Sequence, residues 1–133
     1  MRTFVVLLLP LLYVACQSKN EGYLNSDIFE DVPAPRGAVY LEDESESFSY
    51  RSRTFRSARY VYRYEGTPAE VITFYKETMT APPYSWTFDR EEGLREGSTR
   101  IHFSKTDDKC EVDVDQIARR DNLNIVVRVN HRK

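Results

Sequence analysis

The chain has 133 residues, with 19 basic and 21 acidic side chains and a formal net charge of −2. Charges so nearly balanced exclude the basic footprint that marks a nucleic-acid-binding module, and the length suits one compact domain rather than two. Nine Tyr, seven Phe and one Trp suit a half-buried sheet.

Met1-Arg2-Thr3 precedes an apolar run from Phe4 to Val14, then Ala15 and Cys16. One cation, an apolar stretch and a small residue at the cut site read as a secretory signal peptide over residues 1–15. The run falls short of the roughly 20 apolar residues that span a bilayer, and Pro10 interrupts it. Leu12-Tyr13-Val14-Ala15-Cys16 resembles the lipobox of bacterial lipoproteins. That resemblance implies a diacylglyceryl group on the Cys16 thiol, loss of the leader and acylation of the new amino group. Tyr13 departs from the family's usual Leu. Ordinary cleavage after Ala15, which would release a soluble protein, wants a small residue at that same position and fits it less well. Two or three acyl chains make a stable anchor where one gives only marginal binding. Gln17-Ser18, with no Asp after the Cys, resembles outer-membrane sorting in two-membrane bacteria. The expected location is a cell membrane or outer membrane, with the domain in the periplasm or outside the cell.

Residues 16–35 are polar, lack periodicity and end in the Pro33–Pro35 hinge. They read as the lipidated Cys and a flexible tether spanning roughly 25 Å on average, from which Ile28 and Phe29 can dock back. Residues 36–133 form the single domain. Phe48 and Tyr50 alternate with polar residues, predicting a strand over 47–54, and Ala58, Tyr60, Tyr62 and Tyr64 predict a second ending at Gly66. Thr67-Pro68-Ala69-Glu70 is a capping box with Pro at the first helical position. Val71, Ile72, Phe74, Tyr75 and Met79 follow at helical spacing, and Pro82-Pro83 stops the helix near Thr80.

Four further strands are predicted over 84–89, 100–105, 109–115 and 122–130. Their connectors are Glu91 to Gly97, Thr106-Asp107-Asp108 and Arg119 to Asn122. Short connectors favour antiparallel neighbours, and polar alternation leaves one sheet face wet. The fold class is α+β: an antiparallel sheet of five to six strands with one α-helix packed on one face, in the order β-β-α-β-β-β-β.

The stretch from Ala69 to Met79 with Ser85-Trp86-Thr87, the strand Ile101 to Phe103 followed by Lys105, and the strand Cys110 to Val114 resemble a pattern in small uncharacterised envelope lipoproteins of bacteria. The likeness spans residues 33–130 and consists of core-packing positions. It implies a fold and a compartment, not an activity.

No catalytic constellation is visible. His131 lies near the C-terminus, where chains fray, and His102 falls on the polar face of its strand beside Arg100 and Ser104. Cys110 shares the apolar face of Val112 and Val114 and reads as a buried thiol. Asp107, Asp108, Asp113 and Asp115 lack calcium-loop spacing, so neither metal nor cofactor is expected. The sharpest surface feature is Arg51, Arg53, Arg59 and Arg63 around the first hairpin, with Arg56, interleaved with Tyr. Such a surface can meet an envelope protein or an anionic polymer. The plainer expectation is that Arg59 and Arg63 pair across strands with Glu111, Asp113 and Asp115, while the acidic run Glu42 to Glu46 neutralises the rest. The reading is a lipid-anchored, non-catalytic binding or assembly-support module. Its rival is a small envelope hydrolase with a cleft between the sheet edge and the Glu91 to Gly97 loop, lined by Asp89, Glu91 and Glu92.

Overall fold

In a computed structural model describing residues 22–25, 28–50, 56–117 and 122–131, the chain turns from strand to helix at Thr67. The Thr67 hydroxyl accepts the Glu70 N–H (3.3 Å), and the Glu70 carboxylate accepts the Thr67 N–H (3.2 Å). Two orphan donors are thereby satisfied reciprocally, and α1 runs Pro68–Thr80. Val71, Tyr75 and Met79, four residues apart on one face, are fully buried, with Ile72 and Phe74 packed at the margins. Ala81 and the cis Pro82-Pro83 pair follow.

The strands are β1 (Gly22–Asn25), β2 (Val39–Tyr40), β3 (Glu46–Tyr50), β4 (Arg56–Glu65), β5 (Thr87–Arg95), β6 (Ser98–Lys105), β7 (Asp108–Gln116) and β8 (Asn122–His131). All pair antiparallel in the order β1-β3-β4-β8-β7-β6-β5, with β2 also on β4. Helix α1 therefore carries the chain from β4 across the sheet to its far edge. The meander β5 to β8 then returns, and β8 fills the place beside β4. The α+β class and the antiparallel sheet with one helix hold, but the strands exceed the five or six expected.

One extra strand comes from an interrupted edge. Val39 and Tyr40 pair with Arg63 and Tyr62, and Glu46 resumes the ladder opposite Arg59. Between them a 3-10 turn (Glu42–Glu44) bulges outward. The Leu41 N–H still reaches the Val61 carbonyl (2.9 Å), and the Ser45 hydroxyl accepts the Val61 N–H (2.9 Å). A side chain thus replaces a ladder bond where the backbone detours.

Period-2 alternation delivers Ala58, Tyr60 and Tyr62 of β4, Ile101 and Phe103 of β6, Cys110, Val112 and Val114 of β7, and Leu123, Ile125, Val127 and Val129 of β8 to the helix-covered face. A one-residue slip would turn any of these sets to water. The connector expected over Glu91 to Gly97 is instead strand through Arg95, reversing at Glu96-Gly97 with Gly97 at φ +73°. Edge strand β5 is exposed on both faces, so its sequence carries no apolar alternation to read.

The flexible tether expected over 16–35 is overturned at Gly22–Asn25, which form β1, and at residues 28–35, which lie on the domain, where Phe29 docks back as expected and Ile28 stays exposed. Val32, Pro33 and Pro35 are buried, and the Phe29 N–H donates to the Tyr60 hydroxyl (2.9 Å). Asp31 takes both terminal nitrogens of Arg56 (2.6 and 2.8 Å) and Lys105 Nζ (3.2 Å), while Trp86 Nε1–H donates to the Asp31 carbonyl (2.7 Å). Arg56 Nε reaches Asp108 (2.7 Å), and its guanidinium lies over the rings of Phe29 and Trp86 at 5.1 and 5.5 Å. Burial alone would raise the Asp31 carboxyl, but hydrogen bonds from Arg56 and Lys105 outweigh it and hold it below the usual carboxylate range.

Asp31→Ala strands Arg56 in a mostly enclosed site and is expected to cost about 2–3 kcal/mol by urea denaturation. An unchanged urea midpoint would refute the strap's role. The hydroxyls of Tyr62 and Tyr75 are buried without a hydrogen-bond partner among the described residues. Tyr75→Phe is therefore expected to leave stability equal or raise it by about 1 kcal/mol; a loss beyond that would point to a partner for this hydroxyl.

Candidate functional site: the wet face of the sheet

The face away from α1 is a lattice of opposite charges built by strand register. One cross-strand row reads Arg59, Arg128, Glu111, His102, Arg90 from β4 to β5; the next reads Val61, Val126, Asp113, Arg100, Glu92. The third continues through Arg63, Asn124, Asp115 and Ser98.

Asp113 sits at its centre, only 5% exposed. It takes Arg100 through two bonds (2.6 and 2.9 Å) and Arg128 through one (2.7 Å). Burial alone would raise its carboxyl, but these hydrogen bonds prevail and hold it below the ordinary range; the Asp113 hydrogen bond in turn raises Arg100. One row away, His102 lies between two carboxylates, with Nε2 3.0 Å from Glu92 and Nδ1 3.5 Å from Glu111. Its hydrogen bond lowers the Glu92 carboxyl. Both ring nitrogens face acceptors, so the imidazole bridges β5 and β7.

The expected pairing of Arg59 and Arg63 with Glu111, Asp113 and Asp115 does not occur. Strand β8 lies between β4 and β7, so the residue opposite Arg59 on that side is Arg128, with Glu46 of β3 opposite it on the other. Asp113 is taken by Arg100 and Arg128, and Asp115 accepts from the Ser98 hydroxyl and lies 3.8 Å from Arg95. Arg59 donates to the Glu44 carbonyl (2.5 Å). Arg63 is exposed and has no ion-pair partner among the described residues. Arg51, Arg53 and Cys16 lie outside the described residues.

The carboxylates of the rival reading do not converge. Asp89 accepts from the Ser104 hydroxyl (2.9 Å), Glu91 pairs with Lys76 of α1, and Glu92 with His102. With Glu91 to Gly97 in a hairpin, the loop that would have walled a cleft is absent. A shallow, open depression lies on the outer side of α1, lined by Ala69, Glu70, Thr73, Phe74 and Glu77. Among the described residues no group of His, Cys, Asp and Glu has the arrangement to hold a metal ion, and no helix is long and apolar enough to cross a membrane. Cys110 is a free thiol, fully buried, and burial pushes its pKa up. His131 lies 3.1 Å from Asp108, in the Arg56 cluster at one end of the sheet.

Sequence reading located the strand and polar face of His102 but not its two carboxylates, which depend on three-strand register. No alternation signal marks Asp113 as buried, because its cover is the pair of arginines beside it.

Asp31 and Asp113 have folded-state pKa values below their unfolded ones, so their stabilisation is present above the unfolded value near 4 and is lost as pH falls through the folded value. The urea midpoint should therefore drop below about pH 4, and Asp113→Asn should lower it at pH 7 while flattening the acid decline. An equally steep acid decline in that variant would remove Asp113 from the account. No family model, curated protein or solved structure matches this chain.

Proposed function

We propose that the protein is a bacterial envelope lipoprotein, anchored by lipid on Cys16, whose domain binds a partner or supports an assembly without catalysing a reaction. The anchor rests on the leader and lipobox-like segment, since two or three acyl chains suffice to hold a protein at a bilayer.

The binding role rests on one observation: the wet face is an array of fixed charges whose interior pairs are satisfied, while Arg63 stands exposed and without an ion-pair partner among the described residues at its β4 side. Fixed, mutually oriented charges favour specificity and encounter rate over raw affinity. Such a surface suits an acidic envelope protein or anionic polymer. The sequence reading adds Arg51 and Arg53, grouped with Arg59 and Arg63 around the first hairpin, to that surface.

Two experiments test the two halves. Cys16→Ser should move the protein from the membrane to the soluble fraction, and the wild-type mass should carry acyl chains. An unmodified thiol in native material ends the anchor reading. Replacing Arg51, Arg53, Arg59 and Arg63 with Ala should abolish a crosslink formed in intact membranes while leaving the unfolding free energy from urea titration within about 0.5 kcal/mol of wild type. An undiminished crosslink would refute this partner surface.

A further inference from the structure

Strand β5 is one of the two terminal strands of the sheet: among the described residues it pairs only with β6, and its other side presents unpaired backbone donors and acceptors. Two of the large apolar side chains left exposed in the protein, Phe88 (39%) and Leu94 (44%), lie on it. Its sequence, Thr87-Phe88-Asp89-Arg90-Glu91-Glu92-Gly93-Leu94-Arg95, is complementary to itself when run antiparallel about Glu91. In that register Arg90 faces Glu92, Phe88 faces Leu94, Asp89 faces Gly93 and Thr87 faces Arg95.

We infer that β5 pairs antiparallel with β5 of a second copy of this chain, forming a twofold dimer with one continuous sheet. Cross-strand partners share a face, and the charges obey this, since Arg90 lies opposite His102 and Glu92 opposite Arg100, both on the wet face. The residue on the twofold axis is Glu91, which would meet its own copy as a like charge. Each Glu91, however, is ion-paired to Lys76 of its own helix, and that ammonium also lies 5.2 Å from the centre of the Phe88 ring. Two carboxylates and two ammonium groups then surround the axis without net charge.

An isologous interface of this kind closes on itself and uses the β5 edge of both copies. Strand irregularities between Phe88 and Arg90 and between Gly93 and Arg95 confine the regular ladder to Arg90–Gly93. The contact is therefore short and the association weak. Bulges and charges guard an edge against foreign strands; here the alternating signs repel an unmatched strand and match the antiparallel copy. The inference stands on β5 alone and does not depend on the anchor.

The test uses the full-length chain in detergent. Glu91→Cys, on the axis, should give a disulfide-linked dimer on mild oxidation, whereas Arg63→Cys, on β4, should not. Arg90→Glu and Glu92→Arg should each weaken self-association measured by sedimentation about tenfold, because each dimer contains the altered pair twice. The double swap should restore it, with circular dichroism confirming folded protein in each case. Leu94→Lys should weaken it as well. A wild type that sediments as a monomer at every concentration, equal crosslinking of the two Cys variants, or a double swap that stays monomeric while folded would overturn the inference.

Discussion

Arg56 is the point at which the rest of the structure is joined. Its side chain is 14% exposed and binds Asp31 from the segment before the domain and Asp108 at the start of β7. Phe29 and Trp86 lie against its planar group. Only a guanidinium offers donors in several directions within one plane and two faces to stack on, so Lys could not make the same set of contacts. Enclosed ion pairs add little net stability but penalise arrangements that leave a charge without its partner. The cluster thus selects one docking of residues 28–35, and that docking covers Trp86 and the Phe29 side of Tyr60.

The same logic governs the two faces of the sheet. On the helix side, exclusion of water is achieved by apolar surface alone, and Tyr62 and Tyr75 even bring hydroxyls that find no partner among the described residues. On the other side Asp113 is nearly as enclosed as the core, yet its hydrogen-bond partners are guanidinium groups from β6 and β8. Because β8 was inserted last into the sheet order, the basic residues of β4 were displaced from the acids of β7, and β6 and β8 supply the counter-charges. The pairs that form are internal, and on β4 Arg63 is left toward solvent.

How much of this the sequence disclosed follows from the range of each interaction. Helix α1 was readable to the residue because Thr67, Glu70 and the stripe from Val71 to Met79 act within a few positions. Strands β4, β6, β7 and β8 were readable because one face of each is apolar. Strand β5 was read short, since an edge exposed on both faces has no period to detect. Phe29 docks back as expected, but the anchoring of Asp31 was not readable because its partners lie at Arg56 and Lys105, 25 and 74 positions away. His102 illustrates the same limit: its polar face was evident from alternation, but its carboxylates come from two neighbouring strands whose identity only the topology supplies.

The strap changes what an anchor on Cys16 would mean mechanically. With β1 (Gly22–Asn25) paired to β3 and residues 28–35 fixed to the domain, such an anchor would hold the domain close to the headgroups rather than swing it from a long leash. Strands β1 and β5 occupy opposite edges of the sheet. A chain anchored through Cys16 would therefore enter at one edge while the self-complementary edge is at the other. Two anchored copies joined through β5 would keep their anchors at the far ends of a continuous sheet, so neither lipid attachment would obstruct the pairing. Confinement to a surface raises the effective concentration of such copies, which is the condition under which a short, charge-matched ladder becomes populated.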